Sequence, residues 1–220
     1  MIVPSDKDYK RTKAVKKSKR SLASPFKELA DWISSRYDAN VLNIEYSVIT
    51  PGNRPRLYVI LEKSSEESKF RDDSNMNFNC EIEKEILEEF ISIIQKKGSS
   101  DFKKDGLFVV FSAFERVARI EANDSIPDSK IKKLKKQLNN KELWEISRCF
   151  DSVTFFFYTD QQLANSEKDG LRKVYARKYF DLISYYDEFG YISPDNISVC
   201  FDSKQNFDEK YDGSWFYYYR

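Results

Sequence analysis

Not one of the 220 residues is a histidine, and this absence excludes more chemistry than any motif in the chain adds. Histidine is the side chain that titrates nearest neutrality and the commonest metal ligand. Without it there is no Ser-His-Asp triad, no Cys-His pair and no His-bearing zinc site. Catalysis would have to draw on carboxylates, lysines, tyrosines or a cofactor, and no cofactor motif is present. Glycine is nearly as scarce, at six residues. Neither GxGxxG nor GxxxxGK(S/T) occurs, so a phosphate cradle of backbone amides is not expected. A GxSxG elbow and a reactive-cysteine signature are missing too. Cys80, Cys149 and Cys200 are odd in number and have no CxxC spacing, which suits reduced thiols in a cytoplasmic protein. The longest apolar run, Leu107 to Phe111, is too short for a bilayer, and the first residues lack the basic-then-apolar order of a secretory signal.

What the chain does have is charge (33%) and aromatic side chains (15%). Many aromatics and few glycines argue for a folded body over most of the length. Charge is nearly balanced overall but unevenly placed. Residues 1–20 carry eight lysines and arginines against Asp6 and Asp8, a net +6, and the remainder sums to −5. Residues 1–23 therefore read as a basic arm, solvated or docked on its own body. Contact with nucleic acid through Lys13, Lys16, Lys17, Lys19 and Arg20 is the functional alternative.

Beyond the arm, Ser24-Pro25 marks a helix start, and Phe26, Leu29, Ala30, Ile33 and Tyr37 recur at helical spacing. From Val41 the period becomes two. Leu42, Ile44, Tyr46 and Val48 share a face, as do Leu57, Val59 and Leu61 after the turn at 50–55. A hairpin whose paired numbers sum to 105 sets Val48 against Leu57, Tyr46 against Val59 and Ile44 against Leu61. Residues 64–79 read as a loop, 81–97 as a helix closed by Gly98, and 107–112 as a buried strand. The run 113–122 fits a strand or a helix equally. A basic helix covers 131–138, breaks near Asn139-Asn140 and resumes to about 147. Ser152–Tyr158 is a strand, 166–189 one long helix, Asn196–Asp202 a strand, and Trp215–Tyr219 a final strand.

This order predicts an α+β fold, with mixed α/β as the near alternative: a mixed or antiparallel sheet of about six strands with helices packed on it. Residues 24–220 form one domain in this reading, with two pseudo-repeated halves dividing near 123–128 as the variant. Asp31-Trp-Ile33-Ser34 matches Asp181-Leu-Ile183-Ser184, and Asn43-Ile44 matches Asn196-Ile197. These identities are few and their spacing differs, so coincidence is the simpler account.

Four constellations bear on function. Glu45 and Glu62 project from one face of the hairpin and resemble a metal-binding carboxylate pair, but Lys63 directly follows Glu62 and so points to the other face. Arg54 and Arg56 stand at a rigid turn and suit carboxylate or phosphate. Lys132, Lys133 and Lys136 belong to a lysine-rich helix that suits a phosphate backbone, or simply an outer helix face. Trp215, Tyr217, Tyr219 and Arg220 are residue types that anchor interfaces. The chain therefore reads as a non-enzymatic cytoplasmic interaction protein without a metal or cofactor. Its expected partner is a protein, of inhibitor or immunity type, contacted through Arg54, Arg56 and the C-terminal aromatics. Nucleic-acid binding through the arm and the lysine helix is the first alternative, and a metal-dependent carboxylate hydrolase the second.

Overall fold

The computed structural model describes residues 3–18 and 22–220. The fold is α+β, and its six strands divide into two three-stranded mixed sheets rather than one sheet of six. The chain forms two compact units, Met1–Val117 and Ala118–Arg220. Among the described residues no helix is long and apolar enough to cross a membrane.

The first unit begins with α1 (Lys7–Ser18) and α2 (Phe26–Tyr37), then β1 (Val41–Ile49) and β2 (Arg54–Leu61). A short α3 (Ser64–Glu67) and one 3-10 turn occupy part of the expected loop, followed by α4 (Cys80–Lys96), β3 (Phe108–Ala113) and α5 (Phe114–Asp124). The division between the units falls inside α5, so the ambiguous run 113–122 is mostly helical. The β1–β2 pair is antiparallel, and β3 joins β2 in parallel. Apolar side chains of one sheet face (Ile44, Leu57, Val59, Leu61, Val109 and Phe111) bury against Leu29 and Ile33 of α2 and Ile86, Phe90 and Ile94 of α4. That face is the alternation visible in the sequence.

The hairpin register differs from the expected one by two residues. Val48 faces Pro55, Tyr46 faces Leu57 and Ile44 faces Val59. A two-residue slip keeps every side chain on its face, so hydrophobic alternation cannot distinguish the two registers. The turn decides: Ile49 pairs with Arg54, leaving 50–53 as a four-residue loop with Asn53 in the left-handed region (φ 53°). Leu42 is then accommodated as an extra residue between Val41 and Asn43.

The second unit follows the same order: α6 (Asp128–Leu138), β4 (Leu143–Cys149), β5 (Ser152–Phe157), α7 (Asp160–Lys168), α8 (Leu171–Ile183), β6 (Ser198–Ser203), α9 (Lys204–Tyr211) and α10 (Trp215–Tyr218). Its core joins Ile131 and Leu134 of α6 to Phe155 and Phe157 of β5 and to Tyr175, Tyr179 and Ile183 of α8. Three sequence expectations change here. The helix expected to resume after Asn140 is β4, because Asn139 turns left-handed (φ 46°) and ends α6. The long helix is two helices, broken at Asp169-Gly170, where Gly170 takes φ 72°. The terminal strand is α10, entered from Ser214 and closed by the Tyr218 and Tyr219 amides bonding back to the Ser214 and Trp215 carbonyls.

The two units repeat a topology bond for bond. β4–β5 is antiparallel, β5–β6 is parallel, and the extra residue recurs at the second position of β4, between Leu143 and Glu145. The Glu62 amide donates to the Asn40 carbonyl (2.9 Å) as Tyr158 does to Glu142 (3.0 Å). The Glu115 amide donates to the Glu62 carbonyl (3.0 Å) as Gln205 does to Tyr158 (3.3 Å). The side chains of Glu115 and Gln205 then reach back, accepting from the first helical amide of α3 (Ser64, 2.9 Å) and of α7 (Asp160, 3.4 Å). Capping pairs Lys63–Glu66 and Thr159–Gln162 complete the match. This alignment sets α2 with α6 and α4 with α8, whereas the short identities in the sequence pair α2 with α8. Those identities do not mark the repeat.

Candidate functional site

The basic arm is, over its described part, a docked helix. The outer face of the first sheet, opposite α2 and α4, presents Asn43, Glu45, Arg56 and Tyr58, and α1 lies across it. Thr12 is fully buried; its hydroxyl donates to the Asp8 carbonyl (2.8 Å) and accepts from the Asn43 amide (3.1 Å). Arg11 pairs with Glu45 (3.1 Å), Lys16 with Glu62 (2.6 Å), and Asp8 with Arg56 (3.3 Å). The two carboxylates of the hydrolase alternative are thus each held by a cation of α1. Among the described residues no group of three or more Cys, Asp or Glu is placed to hold a metal ion. Lys13 and Lys17 also lie on α1 and take part in further contacts, while Lys19 and Arg20 lie outside the described residues.

Beside α1 a hollow of about 400 Å³ brings Arg56, Arg71 and Arg116 together with Asp6, Asp8 and Glu67. Glu67 is almost fully buried and accepts from Arg71 (2.6 Å) and from the Ala113 amide (3.1 Å), with Arg116 at 3.6 Å. Three guanidiniums meet three carboxylates, so little charge is left for a ligand. Burial pushes the Tyr58 phenol at its floor up to about 12.

The expected protein-binding residues divide between the two units: Arg54, Trp215, Tyr217 and Arg220 are exposed, and Arg56 and Tyr219 are half-buried. Arg54 lies over the Phe108 ring (4.7 Å), and Arg56 faces α1. In a strand, Trp215, Tyr217 and Tyr219 would share a face; in the helix that forms, Trp215, Tyr218 and Tyr219 do. Trp215 stacks on Trp144 (6.0 Å) and meets Phe207 (4.3 Å). The Tyr219 hydroxyl donates to Ser147 (2.7 Å) and that of Tyr218 to Asp202 (2.5 Å). Desolvation, and then the Asp202 carboxylate, hold the Tyr218 phenol well above its ordinary range. The outward pair is Phe216 and Tyr217, 70% and 54% exposed, with Arg220 over the Phe216 ring. The strand assumption hid Phe216.

A groove of about 640 Å³ runs between α6 and α8. Leu134 and Leu182 floor it, and Lys130, Lys133, Gln137, Lys178, Asp181, Tyr185 and Tyr186 line it. Helical spacing puts Ile131 and Leu134 into the core, which leaves Lys130, Lys132, Lys133 and Lys136 on the solvent side of α6. Lys173 and Lys178 are likewise exposed on α8. None of these six lysines forms an ion pair among the described residues. Their neighbours are committed: Lys135 donates to the Trp144 carbonyl, Arg172 pairs with Glu167, and Arg177 pairs with Asp181 (3.2 Å). Tyr185, at the rim, is 85% exposed. The sequence pointed to the lysines of α6 but not to Lys178 or Tyr185. Lys173 and Lys178 stand five positions apart, about 140° around the helix, so no one-face spacing pointed to Lys178.

The equivalent pair in the first unit, α2 and α4, has the opposite character. Trp32, Arg36, Glu85, Glu88 and Glu89 line a shallow groove of about 400 Å³. Glu85 accepts from the Tyr37 hydroxyl (2.8 Å) and from Arg36, and these hydrogen bonds hold its carboxyl below the usual range. Comparison of the chain with protein-family models, curated proteins and solved structures finds no match.

Proposed function

We propose that the chain is a nucleic-acid-binding protein whose α6/α8 groove takes a single strand, with phosphates on the lysines and a base on Tyr185. The observation that carries this reading is that Lys130, Lys133 and Lys178, none with an ion-pair partner among the described residues, line the groove beside a tyrosine left almost fully in water. A cationic groove supplies affinity for the backbone, and an aromatic face stacks a base whatever its identity. Arg172 and Arg177, which would read base edges bidentately, are already paired, so binding is tolerant of sequence. The working set becomes Lys130, Lys133 and Lys178 with Tyr185, with Lys132 and Lys136 exposed beside them on α6. The α1 lysines belong to it less, since Lys16 is spent on Glu62.

Fluorescence anisotropy of a labelled homopolymeric oligonucleotide, titrated over a range of salt, tests the proposal. With about four phosphates neutralised, log affinity should fall against log salt with a slope of about −3. Lys133→Gln and Lys178→Gln should each lower that slope by about 0.7. Tyr185→Ala should cost about 1–3 kcal/mol with the slope unchanged. Undiminished binding in the Lys133→Gln/Lys178→Gln variant would end this reading.

A second reading, docking of a protein partner, is favoured by the outward Phe216, Tyr217 and Arg220. They stand on a helical turn that Trp215, Tyr218 and Tyr219 hold rigidly, which lowers the entropy lost on binding. A photo-crosslinker in place of Phe216 should trap a discrete adduct in host lysate after nuclease treatment. Absence of any adduct there, with a positive signal from the groove, would dismiss it.

A further inference from the structure

The repeated topology places a basic and an acidic helix pair at corresponding positions of the two units. On α6 and α8 six exposed lysines have no ion-pair partner among the described residues, and three of them, Lys130, Lys133 and Lys178, line the groove, where Asp181 is paired with Arg177. On the α2/α4 side Glu85, Glu88 and Glu89 line the groove with Arg36, which pairs with Glu85, and Glu81 stands one turn before Glu85. Glu81 and Glu89 have no cationic partner among the described residues, and Glu88 has only Lys84 at 3.8 Å. Lys130 to Lys136 extends about 9 Å along its helix, and Glu81 to Glu88 about 10 Å, at 1.5 Å per residue. Half-buried Trp32 borders the acidic groove as Tyr185 borders the basic one.

We infer that the α6/α8 groove of one copy takes the α2/α4 face of a second copy, so that self-association and oligonucleotide binding compete for the same lysines. Complementary potentials attract and orient such faces even where each contact is weak. Because the two faces differ, the contact is heterologous and leaves a free face at each end, which a further copy can fill. Copies therefore add stepwise with concentration. The inference rests on the groove being the working surface, and its test separates the two ideas.

Sedimentation equilibrium of the full chain is measured at about 0.01 M salt, where screening acts over about 30 Å, and at about 1 M, where it acts over about 3 Å. The weight-average mass should rise with protein concentration at low salt and return to 26.0 kDa at high salt. Lys133→Glu/Lys178→Glu and Glu88→Lys/Glu89→Lys should each remain at the single-chain mass. Mixed one to one, they should associate, because each retains the face that the other has lost. An unlabelled oligonucleotide in excess should dissociate the wild-type assembly. A mass of one chain at every concentration, or a mixture that stays monomeric, overturns the inference. Oligonucleotide binding by anisotropy with no change of mass leaves the groove reading standing and removes self-association. Salt-sensitive association rescued by mixing, without any oligonucleotide binding, sustains the self-association and removes both the competition and the nucleic-acid reading.

Discussion

Each sheet turns one face to a helix pair and the other to a helix from its own end of the chain, and the two end helices are held by different physics. α1 is held by Asp8–Arg56, Arg11–Glu45, Lys16–Glu62, the buried Thr12–Asn43 bond and one buried ring, Tyr9, stacked on Phe114 (5.1 Å). α10 covers the outer face of the second through Trp215, Tyr218 and Tyr219, packed on Trp144, Phe156 and Phe207. Partly exposed ion pairs contribute about 0–1 kcal/mol each and weaken with salt. Aromatic contacts contribute about 0.5–1.5 kcal/mol each beyond the area they bury and are indifferent to salt. The four-residue turn is thus held mainly by ring packing, and the twelve-residue helix by a mixture of ion pairs, a buried hydrogen bond and one buried ring. The side chains beneath a cover, and not its length, set how it answers to salt.

That contrast can be broken at either end. The largest effect should come from Phe207→Ala, which empties the centre of the aromatic cover. It should destabilise the second unit by about 3–5 kcal/mol in denaturant titration, equally at low and high salt. Alkali should act next, on the first unit. Tyr58 has a folded pKa of about 12, raised from its ordinary 10.0 by burial, so the folded state holds its proton where the unfolded state releases it. Its stability is complete below pH 10 and falls by roughly 2 kcal/mol as pH rises toward 12, a loss that Tyr58→Phe should remove. Asn43→Ala should cost about 1–3 kcal/mol and speed hydrogen exchange in α1, because it strips a buried partner from Thr12. The smallest effect belongs to Lys16–Glu62: a double-mutant cycle should return under about 1 kcal/mol, shrinking as salt rises. A salt-independent coupling there would erase the distinction between the two covers.

The elements built on one clear period were legible in the sequence. α2, the β1–β2 faces, α4 and the apolar β3 and β5 follow from hydrophobic spacing alone, and they suffice for the α+β class. The misses have separate physical causes. The hairpin slipped by two because parity, which hydrophobic pattern reports, is unchanged by two. The terminal helix was taken for a strand because five consecutive aromatic residues have no period to reveal. The break in the long helix rests on one glycine, Gly170, whose left-handed backbone is invisible in an otherwise helical pattern. The groove needs Lys133 and Lys178, forty-five positions apart, and no local pattern joins them. The sequence reading carried the repeat only as a variant, on the wrong identities, because its matching bonds run between backbone groups or between unlike residues, as with Glu115 and Gln205.

The lock formed by those last two residues carries a consequence for the order in which the chain takes shape during synthesis. Helix α3 lacks an acceptor for its first amide until Glu115 has been added, fifty-one positions later. Helix α7 waits in the same way for Gln205, only fifteen residues from the C-terminus. At about 5–20 residues per second, the first lock is available about 5–20 s before the second. A nascent chain stalled between them should carry one finished unit and one that is open at its third strand.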